Sequence, residues 1–173
     1  MKTLEQKIRS LPADSFVLDS IRFRIIQGDM DLWYAVMECR LAPGQDAYVN
    51  PAGFSIGRAY LCPDKNIPCV ILKETQPIGY IVLREWFDGS ANSWSYYLDR
   101  DSQGQGWGKI AARLAVNILK AADPSKPIKL SAEQDNRKAH HLYQNIGFHL
   151  SGETDGDDLV FIYEEGEHND LSR

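Results

Sequence analysis

The chain has 173 residues, of which 43% are hydrophobic, 10% aromatic and 25% charged. That composition suits one globular domain with its own core and excludes a disordered chain. A formal charge of −5 at pH 7 argues against a general nucleic-acid binder, which needs a basic face to neutralise phosphates.

Cys39, Cys62 and Cys69 are odd in number and form no Cys-x-x-Cys pair, so they read as reduced, partly buried thiols and not as a disulfide framework. The opening "MKTLEQKIRSLPADS" lacks the apolar stretch of a signal peptide, and no run approaches the ~20 apolar residues of a membrane span. A cytoplasmic protein with no membrane partner is the expectation.

In chain order, "SIRFRIIQ" (20–27) alternates as a half-buried strand does and ends at Gly28-Asp29. Asp29 or Asp31 is placed to cap a short helix through "LWYAVMEC", and a second helix is expected over Phe54–Leu61, ended by Pro63. Three strand-like runs follow, "CVILKET", "IGYIVLREW" and "SWSYYLD". The turns "QP" and "FDGSAN" between them favour neighbouring antiparallel strands.

Beyond "QGQGWGK", Ile110, Ala111, Leu114, Ala115, Ile118 and Leu119 share one helix face, and Asp123-Pro124 ends it. "PIKLSA" reads as a strand and "NRKAHHLYQNIGF" as a helix with Gly147 as its C-terminal cap. "FHLSGE" and "DLVFIYE" read as a hairpin around Asp155-Gly156. One domain is therefore expected over 1–163, with a polar, frayed tail over 164–173.

Glycine at three alternating positions, Gly104, Gly106 and Gly108, costs backbone entropy and implies positive φ or a close approach of backbone to a partner. A dinucleotide fingerprint fails because Lys109 stands where the third glycine belongs. A Walker A loop fails because Gln103 replaces its first glycine and Ile110 cannot hold magnesium. What both motifs share still applies: a strand, a glycine turn and a helix N-terminus together offer main-chain N–H groups to a phosphate. A tight turn without a ligand fits this loop equally well when it is considered alone.

A second pattern narrows the choice. Asn136, Ala139, Tyr143 and Gly147-Phe148 form N-x-x-A-x-x-x-Y-x-x-x-G-F about thirty residues downstream, and Gln103, Gly106 and Gly108 meet [QR]-x-x-G-x-[GA]. Together they resemble the GCN5-related N-acetyltransferases (GNAT), with the likeness covering Ile78 to Glu153. The resemblance implies an α/β (α+β) fold: a mixed, mostly antiparallel twisted sheet of about six or seven strands, splayed at the centre and flanked by about four helices. It implies acetyl-CoA as co-substrate and no metal.

It further implies that the pyrophosphate lies on the amides of Gln103, Gly104, Gln105, Gly106, Trp107, Gly108 and Lys109. Leu98 and Arg100 would offer strand amides to the pantetheine and thioester, and Asn136 would hydrogen-bond the pantetheine arm. Tyr143 matches the tyrosine proposed as general acid for the departing thiolate. Without the resemblance, Leu98 is core, Arg100 surface, Asn136 a helix cap, Tyr143 a core aromatic, and the Trp107 side chain packs.

An attacking alkylamine, with a pKa of ~10.4 when free, must lose a proton. Glu38, Glu74 and Glu85 are candidates to take it, and Trp94 stands where some polyamine enzymes of this kind carry a strand glutamate. His140 and His141 are adjacent on one helix, with no third ligand at zinc spacing, and read as rim residues.

A narrower resemblance links "QDAYVNPAGFSIGRAYL" and "SWSYYLDRDSQGQGWG" to bacterial spermine/spermidine (diamine) acetyltransferases, although Ser95 stands where that group commonly has Arg. It implies a polyamine acceptor, with Glu38, Asp46, Glu85 and Asp88 as carboxylates for a polycation. An aminoglycoside, an amino acid or a protein N-terminus would need only a different helical flap. A non-catalytic acyl-CoA sensor and a protein-interaction module are the readings outside enzymology. The family resemblance admits a homodimer, for which the sequence shows no interface.

Overall fold

The computed structural model describes residues 2–163, so the tail expected over 164–173 lies outside the described residues. Thr3 opens the fold with a signal that hydrophobic periodicity passes over. Its hydroxyl accepts from the Gln6 N–H and the Gln6 side chain accepts from the Thr3 N–H, both at 3.2 Å. This capping box starts α1 (Leu4–Arg9), which buries Leu4 and Ile8 one turn apart.

A two-residue strand, β1 (Val17–Leu18), pairs with β2 (Ile21–Ile25). Asp29 then caps α2 (Met30–Glu38) by accepting from the Leu32 N–H at 3.0 Å. After a loop, Pro51 leads into α3 (Ala52–Leu61).

Strands β3 (Asn66–Lys73), β4 (Gln76–Glu85) and β5 (Asn92–Leu98) pair antiparallel to one another in sequence order. β3 starts before the run expected from Cys69 because Pro68 is tolerated inside it. Pro68 accepts from the Ile26 N–H at 2.9 Å just past the end of β2, so its missing N–H forgoes only the reciprocal bond at the frayed end of that ladder.

Gly106 precedes α4 (Trp107–Ala122), which is followed by β6 (Ile128–Ala132) and by α5 (Arg137–Asn145). Past the end of α5, the Phe148 N–H donates to the Tyr143 carbonyl and the Gly147 N–H to that of Gln144. That Schellman closure puts Gly147 at φ 104°. The hairpin of β7 (His149–Asp155) and β8 (Asp158–Tyr163) completes the sheet.

The strand order is β1-β2-β3-β4-β5-β6-β8-β7. There are thus eight strands and five α-helices among the described residues, more than the sequence reading expected by the short β1 and by α1. Alternation divides the core. Ile81, Leu83, Trp94 and Leu98 pack under α1 and α4, while Tyr80, Val82 and Tyr97 pack on the opposite face under α2 and α3.

One junction positions everything that follows. β5 and β6 are the parallel pair, and their ladder holds only at Asn92 opposite Ile128. Beyond that fork the two strands part. The Asp99 N–H donates to the Ile78 carbonyl at 2.8 Å, and the register of β4 with β5 therefore turns the N–H groups of Trp94, Tyr96 and Leu98 away from β4. They face the gap. Gly79 holds β5 close at this end, since a Cβ there would lie 2.5 Å from the Tyr97 carbonyl oxygen and 2.9 Å from the Leu98 Cα.

Candidate active site

A cavity of about 950 Å³ occupies the parting of β5 and β6. One wall is main chain. Gly104 and Gly106 have φ of 77° and 83°, values that L side chains adopt at a cost, so glycine is required by the turn itself. No side chain caps α4. Among the described residues the N–H groups of Gly106, Trp107 and Gly108 donate to no acceptor of the chain. A Cβ added at Gly104 or Gly106 would meet nothing within 4 Å. Open amides at a helix N-terminus can hold a phosphate group.

Of the residues expected from the sequence, Leu98, Gln103, Gly104, Gly106, Gly108, Lys109, Asn136 and Tyr143 line this cavity. Arg100, Gln105 and Trp107 do not. The Arg100 N–H, expected to be free, donates to the Arg40 carbonyl at 2.8 Å, which removes it from the strand amides on offer. Gln105 is exposed. Trp107 packs against the core with the Lys73 ammonium 5.3 Å from its ring. The Lys109 N–H bonds back to the Gly106 carbonyl at 3.2 Å, so the open run ends at Gly108.

Side chains brace this wall. The Gln103 amide nitrogen donates to the Leu98 carbonyl at 2.9 Å and to the Gln45 side chain at 2.8 Å. Tyr96 donates its hydroxyl to the Gly108 carbonyl at 3.1 Å, and a Cβ at Gly108 would sit 3.2 Å from that hydroxyl. Asn136 caps α5 by accepting from the Ala139 N–H at 3.2 Å, while its nitrogen donates to Glu133 at 3.2 Å. Asn136 thus has a structural occupation beside its place on the cavity wall.

Tyr143 stands on α5 with its ring 5.4 Å from that of Phe161 and 6.0 Å from that of Phe148. Desolvation pushes its phenol up to about 12, with Glu133 adding to the rise and Arg84 opposing it. At neutral pH the phenol holds its proton.

The opposite wall is made of side chains from α3 and the strands, including Phe54, Ser55, Arg58, Asn66, Val82 and Arg84. None of the carboxylates singled out in the sequence is there. Glu85 lies 3.4 Å from the Lys126 ammonium and 3.9 Å from that of Lys65. Glu74 pairs with Lys73 at 3.6 Å, and Glu38, Asp46 and Asp88 are exposed away from the cavity.

The cavity's own carboxylates are Glu133, Asp135 and Asp158. Burial, then Glu133 and the neighbouring Asp155 and Asp157, raises the Asp158 carboxyl above its ordinary value. Sequence reasoning missed Glu133. Its one local signal is the position three residues before the Asn136 cap, which marks a turn and no chemistry.

Trp94 lines the cavity and packs edge-on to Phe148 at 5.5 Å. The His140 Nε2 lies 2.9 Å from the Glu133 carbonyl oxygen, and His141 is exposed. Among the described residues no group of three or more His, Cys, Asp and Glu could hold a metal ion. No described helix is long and apolar enough to cross a membrane. The cysteines are free: Cys69 is buried, Cys39 half-buried and Cys62 exposed, the last departing from the partly buried state expected.

Residues 33–148 match the acetyltransferase (GNAT) family. The chain belongs to this family. Membership makes it an acetyl-CoA-dependent N-acetyltransferase, and the glycine loop and Tyr143 fall inside the matched segment.

Solved structures share the fold. An aminoglycoside acetyltransferase in complex with coenzyme A superposes with a TM-score of 0.64 at 19% identity, over 84% of this chain and 95% of that one. A GNAT acetyltransferase from Bacillus anthracis gives 0.66 at 14%, covering 86% and 96%. A putative ribosomal-protein-serine acetyltransferase from Vibrio cholerae gives 0.64 at 14%, covering 86% and 95%. No curated protein matches the chain.

Proposed function

We propose that the protein acetylates a primary amine of a small molecule in one ternary complex, with the acetyl-CoA pyrophosphate at the N-terminus of α4. The observation that carries this reading is the row of partnerless amides at Gly106, Trp107 and Gly108 beside the parted strands. These groups fit a diphosphate, and no side chain competes for them. Acetyl-CoA supplies the activated acetyl group. The Leu98 and Tyr96 N–H groups, turned into the gap by register, suit the carbonyl oxygen of that group, where negative charge develops during attack.

Two side chains handle protons. Glu133 lines the cavity and acts on Tyr143 through space, so its carboxylate is the acceptor for the proton that the amine gives up. Tyr143 keeps a proton at Oη for the departing sulfur. Direct attack then needs only these two groups and correct positioning.

A polyamine acceptor has less support. The carboxylates that would hold a polycation, Glu38, Asp46, Glu85 and Asp88, lie off the cavity wall, and that wall carries Arg58 and Arg84 as well as acidic groups.

Thiol release from acetyl-CoA, measured with spermidine, diamines, aminoglycosides, amino acids and a peptide, tests the reading. Thiol should appear only when an amine is present. Saturable acetyl-CoA binding with no turnover on any amine would favour an acyl-CoA sensor.

A further inference from the structure

Arg84 has an unusual position. It lies on β4 between Asn66 of β3 and Ser93 of β5, opposite both in register, so the three side chains share the face covered by α3. Its Nε is fully buried and has no hydrogen-bond partner, and the Oγ of Ser93 beside it is also buried and partnerless. Arg58, on α3, lines the same cavity. Among the described residues neither arginine takes part in an ion pair.

Arg58 disfavours the charge on Arg84. Burial and then Arg58 pull the Arg84 pKa down, and the through-space pull of Asp155 only partly opposes them. A buried donor left unsatisfied on a charged side chain is costly, and a second cation nearby adds to that cost. An anion between the two would relieve both, because a carboxylate accepts from the planar guanidinium fork through two oxygens at once.

We propose that Arg84 and Arg58 form an anion site for the acceptor, which is an amine that also carries a carboxylate, such as an amino acid. The inference rests on the acetyl-transfer reading for the placement of the amine near Glu133 and Tyr143. Charges then alternate across the cavity: the ammonium faces Glu133 and Asp158, and the carboxylate faces the arginines. The arrangement selects a zwitterion over a polycation.

The test compares amines that differ by one carboxylate: lysine against cadaverine, and ornithine against putrescine. Binding to the protein saturated with coenzyme A is measured by calorimetry, and thiol release from acetyl-CoA in parallel. The carboxylate-bearing member of each pair should bind at least about 10-fold more tightly, the scale of one charge-assisted contact.

Arg84→Gln and Arg58→Gln should each reduce that preference severalfold, and Arg84→Lys should keep part of it. Arg58 is exposed on its helix, so its variant reports even where Arg84→Gln does not fold. Equal binding within each pair, tighter binding of the diamine, or no binding of any member overturns the anion site. Carboxylate-selective binding with no thiol release leaves the anion site standing and removes the acetyl-transfer placement. Turnover with diamines equal to that with amino acids does the reverse.

Discussion

The two walls of the cavity are built by different means. At the loop before α4 the wall is peptide backbone: three consecutive N–H groups that have no partner among the described residues, beside glycines at positive φ. Across the gap, α3 and β4 present side chains, and the positions that face the cavity are set by pairings such as Asn66–Arg84–Ser93, between residues far apart in the chain. Backbone recognition constrains which residues can stand in the loop, whereas side-chain recognition constrains only which faces meet. The first kind of wall serves a ligand common to a whole family, and the second can change with the acceptor.

Tyr143, on α5, lines the same cavity, and as the proposed proton donor its loss should have the largest effect. Tyr143→Phe should lower kcat about 10²-fold, as loss of acid–base assistance does, with the affinities for acetyl-CoA and amine little changed. Stopped-assay turnover together with calorimetry would separate the two. An unchanged kcat would make Tyr143 a packing residue only.

The pH profile adds a second reading of the same group. Because burial raises the phenol to about 12, its proton is retained while the free amine becomes available. The rate should therefore climb with pH and show no fall at the ordinary tyrosine value of 10.0. A fall there would mean that the phenol is solvated in the working enzyme.

Two glycine variants probe the main chain around the cavity, Gly79 at the approach of β4 to β5 and Gly106 in the backbone wall. Gly79→Ala forces a Cβ to within 2.5 Å of the Tyr97 carbonyl and should cost about 1–3 kcal/mol, seen as a lowered Tm. Undiminished stability would show that β4 and β5 can separate freely. Gly106→Val must adopt φ near 83° and places a branched side chain over the open amides. It should weaken acetyl-CoA binding roughly 10-fold, on the scale of one or two lost hydrogen bonds, while Gln105→Ala, on an exposed neighbour, should leave binding within about 2-fold. Equal effects of the two would remove the claim that this wall is main chain.

The same contrast explains what the sequence disclosed. The central strands, α4, α5 and the Gly147 cap follow from periodicity and turn chemistry, since each is encoded within a few neighbouring residues. The loop was legible because glycine at Gly104 and Gly106 is a local demand of the backbone. α1 was missed although Thr3 and Gln6 spell its capping box, because six residues with two buried positions give little periodicity. β1, with two residues, has no pattern to read.

Glu133, Arg58 and Arg84 carry no local mark of chemistry. A charged residue in a strand or at a helix surface reads as solvated until a neighbour from another element shows otherwise. Glu38, Glu74 and Glu85 were candidates for the same reason, in reverse: residue type suited the chemistry, and only tertiary placement sends Glu85 to Lys65 and Lys126. Arg100 is a third case, since alignment supplied its amide and the distant Arg40 carbonyl takes it.

One contact joins the two walls and carries the smallest expected effect. Gln45, in the segment before α3, and Gln103, at the start of the loop, exchange side-chain amide bonds at 2.8 and 3.1 Å. Gln45 also accepts from the Ala42 N–H at 2.9 Å, and Gln103 also donates to the Leu98 carbonyl at 2.9 Å. Each therefore anchors its own wall before reaching the other. Truncating either to Ala should cost about 1 kcal/mol. If the walls act as one unit, the double variant should fall short of the sum by about 0.5 kcal/mol or more, and either single variant should shift the KM for both acetyl-CoA and amine. Strict additivity, with each variant moving only its own substrate, would mean that the backbone wall and the side-chain wall work independently across the gap.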